Sequence, residues 1–133
     1  MEIESFVERG PTAEVVVRGV VTLEELAGMY RRVFAECSRR QIGAVLVDLS
    51  GAEGTLEATE RATLVEMLSR ELDRGVVLAS VLNGSQFLPT RLGQLMAQNR
   101  GFRVREFTDR EEASAWILST LAPPPPDTGD DLL

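Results

Sequence analysis

The chain has 133 residues, 44% hydrophobic and 5% aromatic, with a formal net charge of −7. That is enough chain for one domain burying about two-thirds of its unfolded surface. The balance is too acidic for sequence-independent nucleic-acid binding, which needs a concentrated cationic face. All 14 basic residues are Arg and none is Lys or His, which removes imidazole bases, Schiff-base and phosphate-loop lysines and His-based metal sites. Cys37 is the single cysteine; it excludes an intrachain disulfide and fits a reducing compartment. Glu2, Glu4, Glu8 and Arg9 break up the start of the chain, so no signal-peptide core is expected. The longest uncharged run, Val76 to Thr90, is too short for a transmembrane segment. A cytoplasmic protein is the expectation.

In chain order, Ile3 to Glu8 and Ala13 to Val21 read as two strands joined around Gly10-Pro11, a natural hairpin break. Thr22-Leu-Glu-Glu25 has capping-box spacing, and Leu23, Leu26, Ala27, Tyr30, Val33, Phe34 and Cys37 recur at helical spacing up to Arg39 and Arg40. Val45 to Leu49 is a buried strand between Gly43 and Gly51. Thr55 is expected to cap a helix carrying Ala62, Val65, Leu68 and Leu72 on one face and ending before Gly75. Val76 to Leu82 is the fourth strand. Pro89 belongs at the start of a helix through Leu92, Leu95 and Met96 that stops at Gly101. Arg103 to Phe107 is a fifth strand, and Thr108 or Asp109 caps a last helix packing Ala113, Trp116, Ile117 and Leu121, with Glu111 and Glu112 favourable in its first turn.

The order ββαβαβαβα predicts an α/β fold: a mixed, mostly parallel five-stranded sheet with about four helices, the first strand added antiparallel through the hairpin. Residues 1–121 form this domain. Residues 122–133, with four consecutive prolines followed by Asp127, Asp130 and Asp131, read as a disordered acidic tail.

The strand order, the length and the segment Val45-Leu-Val-Asp-Leu-Ser-Gly51 resemble the STAS domains of anti-sigma factor antagonists and sulfate transporters. The ending Phe107-Thr-Asp-Arg-Glu-Glu-Ala-Ser-Ala-Trp-Ile117 is similar to the SpoIIAA-like, Sec14-related bacterial branch. The resemblance covers roughly residues 2 to 121 and implies a non-enzymatic regulatory module that binds a protein partner. In the phosphorylated antagonists of that family, a strand ending Asp-Leu-Ser-Gly is followed a few residues later by Asp-Ser-Ser-Gly or a close variant, whose serine accepts phosphate from a kinase. Counting on from Ser50 and Gly51 without gaps, those positions hold Leu56, Glu57, Ala58 and Thr59. The usual phosphoacceptor serine is absent there.

The expected partner-binding set is therefore Asp48, Ser50, Glu53, Thr55 and Glu57, at the carboxyl end of a central strand where open α/β sheets place their working loops. Their oxygens lack the ligand spacing of a calcium loop, so turn and cap roles are expected and neither a cofactor nor a metal. The alternative is a small lipophilic or anionic ligand, for which Phe87, Leu88, Leu92 and Met96 would line a pocket. The partners to expect are a protein, a lipophilic ligand or a second copy of the chain as a homodimer, with no nucleic acid.

Overall fold

The computed structural model describes residues 1–86 and 91–121. Pro89, Phe87, Leu88 and the tail of residues 122–133 lie outside the described residues. The elements follow the expected order: β1 (Glu2–Arg9), β2 (Thr12–Arg18), α1 (Leu23–Arg39), β3 (Ala44–Asp48), α2 (Ala58–Ser69), β4 (Val77–Val81), α3 (Leu92–Asn99), β5 (Val104–Phe107) and α4 (Arg110–Leu121). They build one mixed sheet in the order β1-β2-β3-β4-β5. The β1–β2 pair is antiparallel and every later pair is parallel, as the resemblance and the βα alternation both imply. The hairpin turns on Gly10, whose φ of 63° is the left-handed conformation that glycine adopts without steric penalty.

Strands laid down in chain order constrain where the helices go. Each right-handed crossover steps in the same direction, so the helices that connect parallel strands all land on one face. The core divides accordingly. Ala13, Val15, Val17, Val45 and Val47 pack with Leu26, Met29, Val33, Phe34 and Cys37 of α1 and with Leu64 and Leu68 of α2. Ala44, Leu46, Val77, Ala79, Val81 and Phe107 point the other way, onto Ala113 and Ile117 of α4. Period-two alternation sends neighbouring residues to opposite faces. Because β3 is covered on both, it is apolar at nearly every position and buried throughout.

Three local expectations need correction. Thr55 does not cap α2: the N-cap is Glu57, whose backbone N–H donates to Glu60 Oε1 at 3.1 Å. The inward stripe of α2 runs Arg61, Leu64, Leu68, with Ala62 and Val65 only half-buried, because the stripe opens on a charged residue that an apolar template passes over. In α3 the buried residue is Gln94, while Leu95 is 50% exposed. Elsewhere the N-caps follow the sequence, although the expected box on α1 forms by half: Thr22 Oγ1 accepts from Glu25 N at 3.2 Å, the Glu25 carboxylate accepts instead from the Met1 amino group at 2.9 Å, and Asp109 Oδ1 accepts from Glu111 N at 2.8 Å.

Trp116 is half-buried, so it is a flank of α4 and not its anchor. Its ring leans on Phe107, centroids 5.8 Å apart at 50°. A fully buried ring cut to alanine costs about 3–5 kcal/mol, so Trp116→Ala should cost about 1.5–2.5 kcal/mol in urea denaturation. A larger loss would place the ring deeper than its exposure indicates.

Candidate functional site

The loop between β3 and α2 is held from several sides. Asp48 ends β3 on the α4 face and is buried. One carboxylate oxygen accepts from the backbone N–H of Ser50 at 3.0 Å and from its hydroxyl at 2.6 Å. The other accepts from Arg110 Nη1 of α4 at 3.1 Å. Both oxygens are thus satisfied internally, and Asp48 supports the loop from beneath. Ser50 is half-buried and its carbonyl accepts from Asn83 Nδ2 at 2.9 Å.

Further along, the loop pairs with the segment that follows β2. Val21 N donates to Glu53 O and Glu53 N donates to Gly19 O, each at 2.8 Å. Gly54 turns the chain at a φ of 85°, where a side chain would be strained. Ala52 and Leu56 are buried pegs, leaving Glu53, Thr55 and Glu57 exposed between and beyond them. The structure therefore brings Glu53, Thr55 and Glu57 to one accessible loop and keeps Asp48 and Ser50 beneath it. Among the described residues no three acidic or thiol groups gather as a metal site.

Two side chains that sequence reasoning missed fasten this loop to the rest of the sheet. Gln86 is 3% exposed, and its Nε2 donates to the carbonyls of Leu49 at 3.0 Å and Ala52 at 3.1 Å. Arg61 donates from Nε to Leu56 O at 3.2 Å and from Nη2 to Thr55 Oγ1 at 2.7 Å and to Gln86 O. The Thr55 hydroxyl, read from sequence as a helix cap, is instead an acceptor for this guanidinium.

Arg61 also borders a half-enclosed cavity of about 140 Å³ between the sheet and helices α1–α3. Its lining is mostly apolar and includes Leu26, Phe34, Leu64, Leu68, Leu78 and Phe102. From α3 it takes Gly93, Gln94 and Ala97, while Leu92 and Met96, expected from sequence to face a pocket, do not line it. They are half-buried on other sides of a short helix whose inward direction is set by Gln94.

One corner of the cavity is polar. Sheet register puts Ser80 beside Glu106. Tyr30 reaches down from α1, its hydroxyl 3.3 Å from Ser80 Oγ. Glu106 N donates to Gln94 Oε1 at 2.9 Å. The Glu106 carboxylate has Arg61 Nη1 at 3.6 Å from Oε2, with both side chains 11% exposed, whereas Oε1 is buried and accepts no hydrogen bond among the described residues. Burial pushes the Glu106 carboxyl up, against the opposing pull of Arg61 and then Arg91. Burial also raises the Tyr30 phenol, opposed by its bond to Ser80. The signal for Glu106 was present in the alternation Val104-Arg-Glu-Phe107: a residue two beyond the inward Val104 shares its face.

Among the described residues no helix is long and apolar enough to cross a membrane. No protein-family model matches the chain, and no curated protein sequence does. Among solved structures, the chain is similar to a crystal structure of an anti-sigma factor antagonist from Mycobacterium paratuberculosis. The TM-score is 0.55 at 15% identity, over 86% of this chain and 92% of that one. The similarity is one of fold: the chain has the STAS-like fold of the anti-sigma factor antagonists.

Proposed function

We propose that this chain is a non-enzymatic, STAS-like regulatory module that binds a protein partner through the loop from Ser50 to Glu57 and the start of α2, without the family's serine switch. The observation that carries this reading is the construction of the loop: buried at Ala52 and Leu56, tied by Gln86 and Arg61, and exposed at Glu53, Thr55 and Glu57. A loop already ordered in the free protein loses little entropy on binding. The fold shared with an anti-sigma factor antagonist supports a protein as the partner, an anti-sigma factor being the first class to try. At the positions where the phosphorylated members carry their acceptor serine, this chain has Glu57 as the α2 N-cap and Ala58 as its first helical residue. Glu57 thereby has a structural task, and reversing its charge would also weaken the cap.

Glu53 is the cleaner probe. Glu53→Arg should weaken binding to a cognate anti-sigma factor, measured by calorimetry, while leaving the melting transition in place. Incubation with a cognate kinase and ATP should label neither Ser50 nor Thr55. Stoichiometric phosphate on either residue, with loss of partner binding, would show a switch at a shifted position and sink this reading.

The cavity favours a second reading alongside the first, that of a module that also holds a small ligand. Its volume of about 140 Å³ is close to the ~150 Å³ of an apolar cavity known to admit benzene.

A further inference from the structure

Charge runs along this chain in blocks. Between Asp73 and Glu106 the sequence holds five arginines, Arg74, Arg91, Arg100, Arg103 and Arg105, and no acidic residue, within a chain of net charge −7. Two of them end up exposed at the β5 edge of the sheet. Arg103 and Arg105 have no carboxylate at ion-pair distance among the described residues, although Glu112 of α4 borders the same recess as Arg105. Period-two alternation places both on the face of Phe107, the face that α4 covers. Arg105 is steadied there, its guanidinium carbon 5.3 Å from the centre of the Phe107 ring. The backbone rim of β5 is already closed. Arg103 O and Phe107 O accept from β4, which turns residues 104 and 106 outward, and there Gln98 Nε2 donates to Val104 O at 3.1 Å and Gln94 Oε1 accepts from Glu106 N at 2.9 Å. The edge therefore offers an incoming chain cationic side chains and not a strand ladder.

The arginines on the other side of α4 are neutralised: Arg9 by Glu14, Arg18 by Glu4 and Arg110 by Asp48. Leu121, at the end of α4, packs beside Gly43, just before β3. Register puts Arg103 at the same end of the sheet, two strands away, or about 10 Å across. From Leu121 the sequence continues through four prolines to Asp127, Asp130 and Asp131. A proline run advances about 3.1 Å per residue, so Asp127 falls within roughly 20 Å of Leu121, a span that covers Arg103 and Arg105. We propose that the acidic segment Asp127–Asp131 docks on the chain's own β5 edge, its carboxylates pairing with Arg103 and Arg105. This goes beyond both readings given above and depends on neither. Charge drives the contact, because Pro123 to Asp131 includes no large apolar side chain. The tether adds to it, since a short linker gives an effective concentration in the millimolar range. An acidic segment of another protein would have to displace the chain's own.

A nitroxide attached to the full chain at Thr128→Cys tests the proposal. Labelling is selective, because Cys37 is 0% exposed and burial pushes its thiol up to about 11. The matched controls are Arg9 and Val7 of β1, which stand in the same rows as Arg103 and Arg105, two strands from β3 on the other side. Paramagnetic broadening of backbone amides should be at least about threefold stronger at Arg103 and Arg105 than at Arg9 and Val7, the bias of one exposed ion pair. The bias should vanish at about 1 M NaCl, where the screening length is about 3 Å. It should also vanish in labelled chains carrying Asp127→Asn, Asp130→Asn and Asp131→Asn together, or Arg103→Gln with Arg105→Gln. Equal broadening at both edges, or a bias that survives salt, overturns the proposal. So does broadening that arises only on mixing a nitroxide-labelled chain with an unlabelled, isotope-enriched one, which makes a second copy the occupant. If there is no bias but the Arg103 and Arg105 amides shift on addition of deca-glutamate, the edge takes an acidic segment of another protein and the assignment to residues 127–131 is overturned.

Discussion

Leu46→Ala should lower the unfolding free energy by about 3–4 kcal/mol, within the range of buried leucine truncations. Leu46 is 1% exposed at the middle of β3. It points into the cluster under α4, whose other members include Ala44, Ala79 and Ala113. Its cross-strand partner Ala79 is too short to fill the space a leucine leaves, so the loss should fall above the bottom of the range. Against a total of about 5–15 kcal/mol for an ordinary domain, this is a large fraction. Urea denaturation is the measurement, with Leu46→Met as the control that keeps volume and should lose less than about 1.5 kcal/mol. A loss below about 1 kcal/mol for the alanine variant would mean that α4 does not close over β3.

Arg61→Met should cost about 3 kcal/mol at neutral pH and markedly less in acid. The Arg61 side chain is 11% exposed and is the stronger of the two cations acting on Glu106, ahead of Arg91; removing it leaves a buried carboxylate without its main compensating charge. The direction with pH follows from the carboxyl. Folding already raises the Glu106 pKa above its ordinary value, through burial, so the folded state holds this proton more tightly than the unfolded chain does. The corresponding stabilisation is complete below the unfolded carboxylate pKa and is lost as pH rises through the folded one. Without Arg61 the folded pKa rises further, and the deficit of the variant grows across that window. Denaturation at pH 4 and pH 7 reads the difference directly. A deficit that is equal at both would show that Arg61 stabilises through its bonds to Thr55, Leu56 and Gln86 and not through Glu106.

The fold was far more legible in the sequence than the site. Helix α1 carries its own evidence: a Thr22 cap and an uninterrupted apolar stripe from Leu26 to Cys37. β3 is apolar between two glycines, and the alternation of strands with helices leaves few arrangements. The residues around the cavity obey none of these templates. Arg61 lies on an inward helical face, Gln94 is the buried residue of α3, and Ser80 interrupts an apolar strand to meet Tyr30. Gln86 sits in the connection after β4 and ties it to the loop after β3. Polar residues in the interior are specified by partners distant in sequence, and pattern reading, which scores polarity as exposure, assigns them to the surface. Asp48 is legible from its position at a strand end, but its ion pair is not: Arg110 is 62 positions away.

The ordering of strands along the sheet also sets how the molecule is made. Each new strand pairs with the one synthesised just before it, so the sheet grows outward at one edge with modest loop closures and no need to wait for a distant segment. The exception is the face carrying Ala44, Leu46, Val77, Ala79 and Val81, which stays uncovered until α4 has been made. During synthesis that apolar surface is exposed to water and to other chains, the condition under which nascent proteins aggregate or recruit chaperones. Completion of one twelve-residue helix ends that exposure.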